Sequence, residues 1–179
     1  MRQFSFAMVL SLFLGLSGCG YKELPKMKAE ADEALKQVVM EYRLRADLVP
    51  HMLAAVKGRT DGNWPKIISE MQINHAHAIG VDMPIERLDD VQMNRMASFQ
   101  AVLSNTLMTM MNALSNDSKV NKGEVLSLKE QLDRAENRLA VAKQKYRDVS
   151  PVFNEKLNKV PEKWFNSFLY KFQPLHPLQ

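Results

Sequence analysis

The chain has 179 residues, of which 46% are hydrophobic and 25% charged, with a formal net charge of +4. This composition excludes a disordered chain and is sufficient for one folded domain with a substantial core. The lysines are spread along helical patterns and form no basic stripe of the kind that binds a phosphate backbone. We therefore expect no nucleic-acid partner.

The N-terminal segment is predicted to be a lipoprotein signal. Arg2 precedes the apolar stretch FSFAMVLSLFLGL, which is short for a membrane span, and Leu-Ser-Gly-Cys19 follows. Small residues directly before the only cysteine of the chain resemble a bacterial lipobox, in which the cysteine is acylated and becomes the mature N-terminus. We therefore predict a signal peptide at 1–18, lipid attachment at Cys19 and a tether at 19–26.

This anchor leads to an expectation about location. The alternative is an uncleaved N-terminal membrane segment with a chance cysteine, which the short apolar stretch disfavours. Two or three acyl chains on Cys19 would hold the protein stably on a bilayer. An aspartate at position 20 would resemble an inner-membrane retention signal, so Gly20 favours the outer membrane if the cell has one. We expect a membrane-anchored protein that faces the periplasm.

Four apolar stripes at helical spacing follow in chain order. The first covers residues 27–56 and is interrupted only by Arg45, and the second covers residues 64–79. The fourth, over residues 125–157, is the most regular. The third stripe is predicted to consist of Leu88, Val91, Arg95, Phe99, Val102, Thr106, Met110 and Leu114, broadened by Met96, Leu103 and Leu107.

These stripes predict an all-α fold. No sustained period-2 pattern bounded by turns indicates a strand. We expect an antiparallel bundle of about four helices over residues 27–161, with long first and last helices. These two helices should extend beyond the middle pair as a stalk-like hairpin, and residues 162–179 should form an aromatic-rich tail.

A proline lies inside the first predicted helix. Pro50 follows Asp47 by three residues, and the predicted helix ends at Gly58. Because proline removes a backbone donor and clashes with the preceding turn, we predict a kink here. Asp47 is predicted to accept hydrogen bonds from nearby backbone N–H groups as a local cap.

No arrangement of residues in the sequence indicates catalysis. There is no G-x-S-x-G, no glycine-rich phosphate loop and no H-E-x-x-H, and Cys19 is used by its acyl chains. His75 and His77 would lie about 200° apart around a helix, so they cannot share a metal ion. We therefore predict a protein that is not an enzyme and has no cofactor or metal site.

Two binding hypotheses remain open. The first is a periplasmic metal- or ligand-binding protein that uses histidine and methionine side chains such as His75 and Met110. The second is an adaptable groove of methionine and aromatic side chains that accepts a partner. Methionines on helices usually fill a core, so neither is the leading interpretation.

Two stretches resemble the LemA family of bacterial envelope proteins, over roughly residues 24–161. The first, EYRLRADLVPHMLAAVKG, matches the family pattern at Tyr42, Arg43, Arg45, Asp47, Leu48, Val49, Pro50, Val56, Lys57 and Gly58. The second, AENRLAVAKQKY, matches at Glu136, Asn137, Arg138, Leu139 and Tyr146. Lys143 and Arg147 stand where the family signature has arginine and asparagine. The resemblance implies a long antiparallel helical bundle and specifies no activity.

The resemblance also suggests a partner for the charge that interrupts the first stripe. Arg45 should enter the bundle, where an unpaired guanidinium is costly. Glu136, the acid of the second matching stretch, is the predicted partner, and the region around Pro50 is predicted to be a structural joint. The leading functional expectation is a non-catalytic lipoprotein whose helical bundle stands on the membrane and contacts another envelope protein.

Overall fold

The computed structural model describes residues 22–80 and 88–178; the predicted signal peptide, Cys19 and Gly20 lie outside them. The described residues are all-α and contain no strand, which confirms the predicted fold class. The helices are α1 (Glu23–Ala46), α2 (Leu48–Ala55), α3 (Trp64–Ile79), α4 (Asp90–Asn116), α5 (Lys122–Leu157) and α6 (Glu162–Phe165). A π-helical turn, Asn166–Tyr170, follows α6.

The interior consists of three consecutive apolar clusters. The distal cluster joins the end of α1 to α2, α3, the second half of α4 and the first half of α5. The middle cluster joins α1 and α5 to the start of α4. The basal cluster contains Leu24, Phe153 and Leu157 with residues of the tail, and no residue of α3 or α4 among those described. The α1/α5 hairpin therefore extends beyond the middle pair, as predicted, and the tail covers the extension.

The predicted stripes of the first and last helices are confirmed over most of their length. In α5 the buried residues step by three and four from Val125 to Tyr146, and each is at most 6% exposed. Beyond Tyr146 the buried residues are Ser150, Phe153 and Leu157, and the predicted Val149 is only partly buried. In α1, Arg45 occupies an interior position of the stripe and is 1% exposed. The predicted entry of this charge into the bundle is thus observed.

The predicted face of α4 was wrong by about one position over its first half. Val91 and Val102 are 65% and 45% exposed. Both faces are largely apolar and both contain polar residues, so helical periodicity alone does not distinguish them, and the packing of α4 on the other helices selects the buried face. That face consists of Met93, Met96, Gln100, Leu103, Leu107, Met110 and Leu114, with steps of three and four residues.

The helix is interrupted where the proline predicted a kink, but the predicted cap is absent. Asp47 forms the turn between α1 and α2, and Pro50, the third residue of α2, has no N–H for the carbonyl of Ala46. The Asp47 side chain makes no capping hydrogen bond, and its backbone N–H donates to the Arg43 carbonyl at 2.9 Å. Asp47 keeps helical angles (φ −64°, ψ −13°), whereas a capping residue usually adopts extended angles.

Side chains of two loops meet at the distal end of the bundle. Arg59 Nη2 lies 2.6 Å from an Asp117 carboxylate oxygen, and the indole N–H of Trp64 donates to the same oxygen at 2.9 Å. The backbone N–H of Lys119 and the Arg59 guanidinium hold the pKa of the Asp117 carboxyl below its usual range. Gly58, where the first helical region was predicted to end, has a φ of +78°, a conformation that glycine adopts readily. These contacts tie the α2–α3 loop to the α4–α5 loop.

The predicted tail is part of the folded core, and part of the predicted tether is helical. Leu178 is 6% exposed in the middle cluster. The Asn154 side chain binds both backbone groups of Leu175 at 2.7 Å, and the Tyr146 hydroxyl donates to the His176 carbonyl at 2.9 Å. Residues 23–26, expected in the tether, form the first turn of α1. The tail thus returns along α5.

The Tyr146 hydroxyl provides a test of tail docking that depends on pH. Burial raises its pKa to about 12, with a smaller contribution from Asp32. Because the tyrosine pKa in the unfolded chain is near 10, the protonated Tyr146 contributes its full stability to the fold below that pH. This contribution is lost as the pH rises toward 12. Tyr146→Phe should lower the free energy of unfolding by about 1 kcal/mol at pH 8 through loss of the hydrogen bond.

The difference in unfolding free energy between the two chains should shrink between pH 10 and 12. In this range Tyr146 ionises in the unfolded wild-type chain but not in the folded one, and the variant lacks the ionising group. Urea unfolding of both chains across this range measures the difference, and all other titrating groups are shared. Parallel stability curves for the two chains would contradict the assignment.

Candidate functional site

Arg45 is the centre of a buried polar cluster. Its guanidinium Nη1 donates to Glu136 Oε1 at 3.0 Å and also contacts the Ser104 hydroxyl. Its Nη2 donates to the backbone carbonyl and the side-chain oxygen of Gln100, at 2.9 and 2.7 Å. The predicted Arg45–Glu136 contact is therefore present. The Arg45 side chain is 2% exposed and that of Glu136 is 43% exposed, so the charge pair opens to solvent on the carboxylate side.

Four helices contribute to this Arg45 cluster. Arg45 comes from the last turn of α1, Gln100 and Ser104 from one face of α4, and Glu136 from α5. The Gln100 amide also donates to the Ala78 carbonyl of α3 at 3.3 Å. Each of these hydrogen bonds requires its two partners to lie at the same level along the bundle and to face each other. The cluster therefore fixes how the helices are rotated and shifted against one another.

Gln100 was missed by the sequence reasoning. A signal for it exists, since positions 93, 96, 100, 103, 107, 110 and 114 form an unbroken three-and-four pattern that is apolar everywhere except at Gln100. A single polar residue in such a pattern is typical of a buried hydrogen-bonding position. The pattern does not show which group Gln100 binds, because its partner Arg45 lies 55 residues away in sequence.

A second charge pair crosses the α1–α5 contact. Arg138 Nε lies 2.9 Å from Glu41 Oε2, and the Glu41 side chain is only 5% exposed. Arg138 is half exposed and its neighbour Asn137 is exposed. Arg138 therefore compensates a buried carboxylate while it remains on the outer surface of the bundle.

The Tyr42 ring packs between two cations. Arg45 Cζ lies 5.5 Å and Lys143 Nζ 5.6 Å from the ring centroid, within the range of cation–π contacts. Burial raises the pKa of the Tyr42 hydroxyl, an effect that Arg45 partly opposes. The remaining residues of the two motifs are not drawn into this cluster: Arg43, Asp47 and Pro50 are exposed, and Tyr146 contacts the tail.

The residues considered for metal binding do not converge within residues 22–80 and 88–178. No group of three His, Cys, Asp or Glu side chains that could hold a metal ion occurs there. His77 stacks on Phe99 with ring centroids 5.2 Å apart. Met110 is fully buried in the distal cluster, as expected for a methionine that fills a core.

A surface of exposed apolar side chains lies at the basal end, which we call the basal surface. Its members are Val160, Trp164, Phe168 and Leu169, which are 59%, 61%, 82% and 55% exposed. The salt bridge from Lys156 to Glu23, 2.9 Å long, and the contact from Lys156 to Glu162, 3.5 Å long, tie α6 to the start of α1. The basal surface therefore adjoins the point where the N-terminal segment enters the fold.

These features define the class of the protein as an all-α bundle whose long hairpin is crossed by buried charge pairs. The chain belongs to the LemA family, whose model matches residues 34–178. This match includes the tail, which lies beyond the stretch over which the resemblance was expected. A search of curated proteins found no match. None of the helices described is long and apolar enough to cross a membrane.

The Arg45–Glu136 contact predicts energetic coupling. Arg45→Met and Glu136→Gln should each lower the free energy of unfolding, and the double variant should be more stable than their sum by about 1–2 kcal/mol. Either single change leaves a charge or a polar group without its partner, whereas the double variant removes both charges. Denaturant unfolding of the four chains measures the coupling.

The matched control is the Arg134–Glu130 pair on the surface of α5, whose side chains are 60% and 59% exposed. A cycle of Arg134→Gln and Glu130→Gln should give about 0.3–0.5 kcal/mol, as for exposed helical pairs. Coupling at Arg45–Glu136 that is no larger than at this control pair would reject the buried pair as a stabilising contact.

Proposed function

We propose that this LemA family member is a non-catalytic lipoprotein, held on the membrane by acyl chains on Cys19, whose bundle contacts another envelope protein. The observation that carries the proposal is the close succession of the lipobox cysteine and α1. Only residues 20–22 separate Cys19 from Glu23, the first residue of α1. Four peptide steps span at most about 15 Å, so acyl chains in a bilayer would bring the basal end to its surface.

The chemistry of the basal surface supports this orientation. Trp164 and Phe168 are rings of the kind that lie favourably at the boundary between lipid and water. Lys163 and Lys171 are exposed beside them, and long basic side chains can reach anionic headgroups. Exposed apolar groups would cost free energy in water, and contact with the bilayer would offset that cost.

The location follows from the same reasoning. A lipoprotein with this signal faces the periplasm, and Gly20 favours the outer membrane in a cell that has one. The distal end, with its joined loops, then points away from the lipid. Along α1 and α2 the bundle would reach about 50 Å from the membrane, at 1.5 Å per helical residue.

A groove on the outer surface of the α1/α5 hairpin supports the partner part of the proposal. It has a volume of about 340 Å³ and is lined mainly by carbon atoms, around Val141, which is 71% exposed. Asn137 and Arg138 of the second motif form part of its wall. An apolar groove flanked by exposed polar residues is typical of a protein contact site.

Acylation is tested by metabolic labelling with palmitate and by membrane fractionation. The wild-type chain should incorporate label and sediment with membranes, and Cys19→Ser should not incorporate label. Label that survives in Cys19→Ser, or a wild-type chain that carries no label, would reject the lipoprotein assignment.

The orientation of the bundle on the membrane is tested through the fluorescence of the two tryptophans. Trp164 lies on the basal surface, whereas Trp64 is buried at the distal end. In proteoliposomes with nitroxide-labelled headgroups, emission from Trp64→Phe, which retains Trp164, should be quenched. Emission from Trp164→Phe, which retains Trp64, should not be quenched, and equal quenching in the two variants would contradict the orientation.

The partner contact is tested by photo-crosslinking in cells. A crosslinking residue at Val141 should give an adduct with an envelope protein. The same residue at Leu126, which is 58% exposed on α5 and outside the groove, is the control. Absence of an adduct at Val141, or equal adducts at both positions, would contradict the groove as a contact site.

A further inference from the structure

A cavity opens beside Tyr42 and the Arg45 cluster, between α1, α4 and α5. Its volume is about 400 Å³, within the range of small-ligand sites. The α4 wall is formed by small side chains, including Ala97, Ser98 and Ala101, which leave space between this helix and α5.

The lining of this cavity is positively charged. It contains the cations Arg45 and Lys143 and no carboxylate. Its other polar members are Tyr42, Asn94, Ser98, Gln100 and Ser104, which offer hydroxyl and amide groups. Glu136 contacts Arg45 and is not part of the lining, so the space inside the cavity is bordered by the two cations and by neutral groups.

Arg45 retains one unused donor. Its Nη atoms are bound to Gln100, Ser104 and Glu136, but its Nε–H has no hydrogen-bond partner. Among the buried side chains described, this is the one polar atom left in that state. A buried donor without an acceptor is costly, so the acceptors in the described part of the chain do not satisfy the whole guanidinium.

Lys143 provides the second positive charge and forms no salt bridge with a residue that the structure describes. No carboxylate within the described chain lies within 4.0 Å of its Nζ, which faces the Tyr42 ring instead. Burial lowers the pKa of this amine, the positive charges of Arg45 and Arg147 lower it further, and the carboxylate of Glu136 opposes the shift in part. A negative charge in the cavity would therefore interact favourably with both cations.

We propose that this cavity binds a small soluble anion, a carboxylate or phosphate compound, between Lys143 and Arg45. The uncharged hydroxyl and amide groups of α4 would supply further hydrogen bonds to its oxygens. A bilayer headgroup is a poor candidate, because Arg45 lies about 33 Å along α1 from Glu23, the residue nearest the proposed anchor. The inference concerns a different region from the basal surface and does not depend on membrane anchoring.

The test uses the purified full chain in neutral detergent and NMR titration with sodium phosphate or sodium succinate. Sodium chloride of matched ionic strength is the reference. Backbone amide signals of Ala97, Ser98 and Ala101 should shift saturably with at least one of the two anions. Absence of a saturable shift with either anion up to 10 mM, about the limit of specific weak binding, would overturn the proposal.

Lys143→Gln should weaken binding at least tenfold, because it removes one of the two charges and keeps a polar, uncharged side chain. Lys145→Gln, on the same helix but facing the outer groove, is the matched control and should leave affinity unchanged. Ala101→Leu, which fills the cavity without removing a charge, should also abolish binding. Wild-type affinity in both Lys143→Gln and Ala101→Leu would overturn the proposed site.

Discussion

The buried guanidinium of Arg45 is the constraint on which the arrangement of this bundle depends. A charge that is 1% exposed requires acceptors, and these come from α4 and α5 at fixed heights. Gln100 also donates a hydrogen bond to the Ala78 carbonyl, so the position of α3 depends on the same cluster. Apolar stripes alone would tolerate a shift of one helical turn, since one leucine contact resembles another. Such a shift would leave the guanidinium without its partners, so the polar cluster selects one register.

The two ends of the α1/α5 hairpin, on either side of the Arg45 cluster, are packed by different elements. At the distal end, α2, α3 and α4 build the largest core and two loops are joined by Arg59 and Asp117. At the basal end, the tail replaces the middle helices and covers Leu24 and Phe153. The membrane-facing surface that we propose arises from this replacement, because α6 and its π-helical turn present rings outward beside the start of α1. The cavity near Lys143 lies between the two ends, where α4 carries small residues.

The sequence predicted the elements whose burial follows from their own pattern. The stripes of α1 and α5 are long and regular, so the interruption at Arg45 was visible. Its partner Glu136 was named from the resemblance, as the acid of the second matching stretch. The face of α4 was misassigned because two adjacent faces of this helix are both largely apolar, and only the packing of the bundle selects the one that contains Gln100. Asp47 was expected to cap α2, but a residue that keeps helical angles does not face the N–H groups that a cap binds.

By itself the sequence determined the all-α class, the position of the helix interruption before Pro50, the family, and the pairing of Arg45 with Glu136. These follow from helical periodicity, from the missing donor of proline and from motifs that lie within short stretches of chain. The tertiary structure alone decided the buried face of α4, the docking of the tail and the cationic cavity. Each depends on groups far apart in sequence, such as Arg45 and Ser104, which are 59 residues apart, or Tyr146 and His176, which are 30 apart. Local patterns carry no information about which distant polar groups will meet, because that is set by the packing of whole helices.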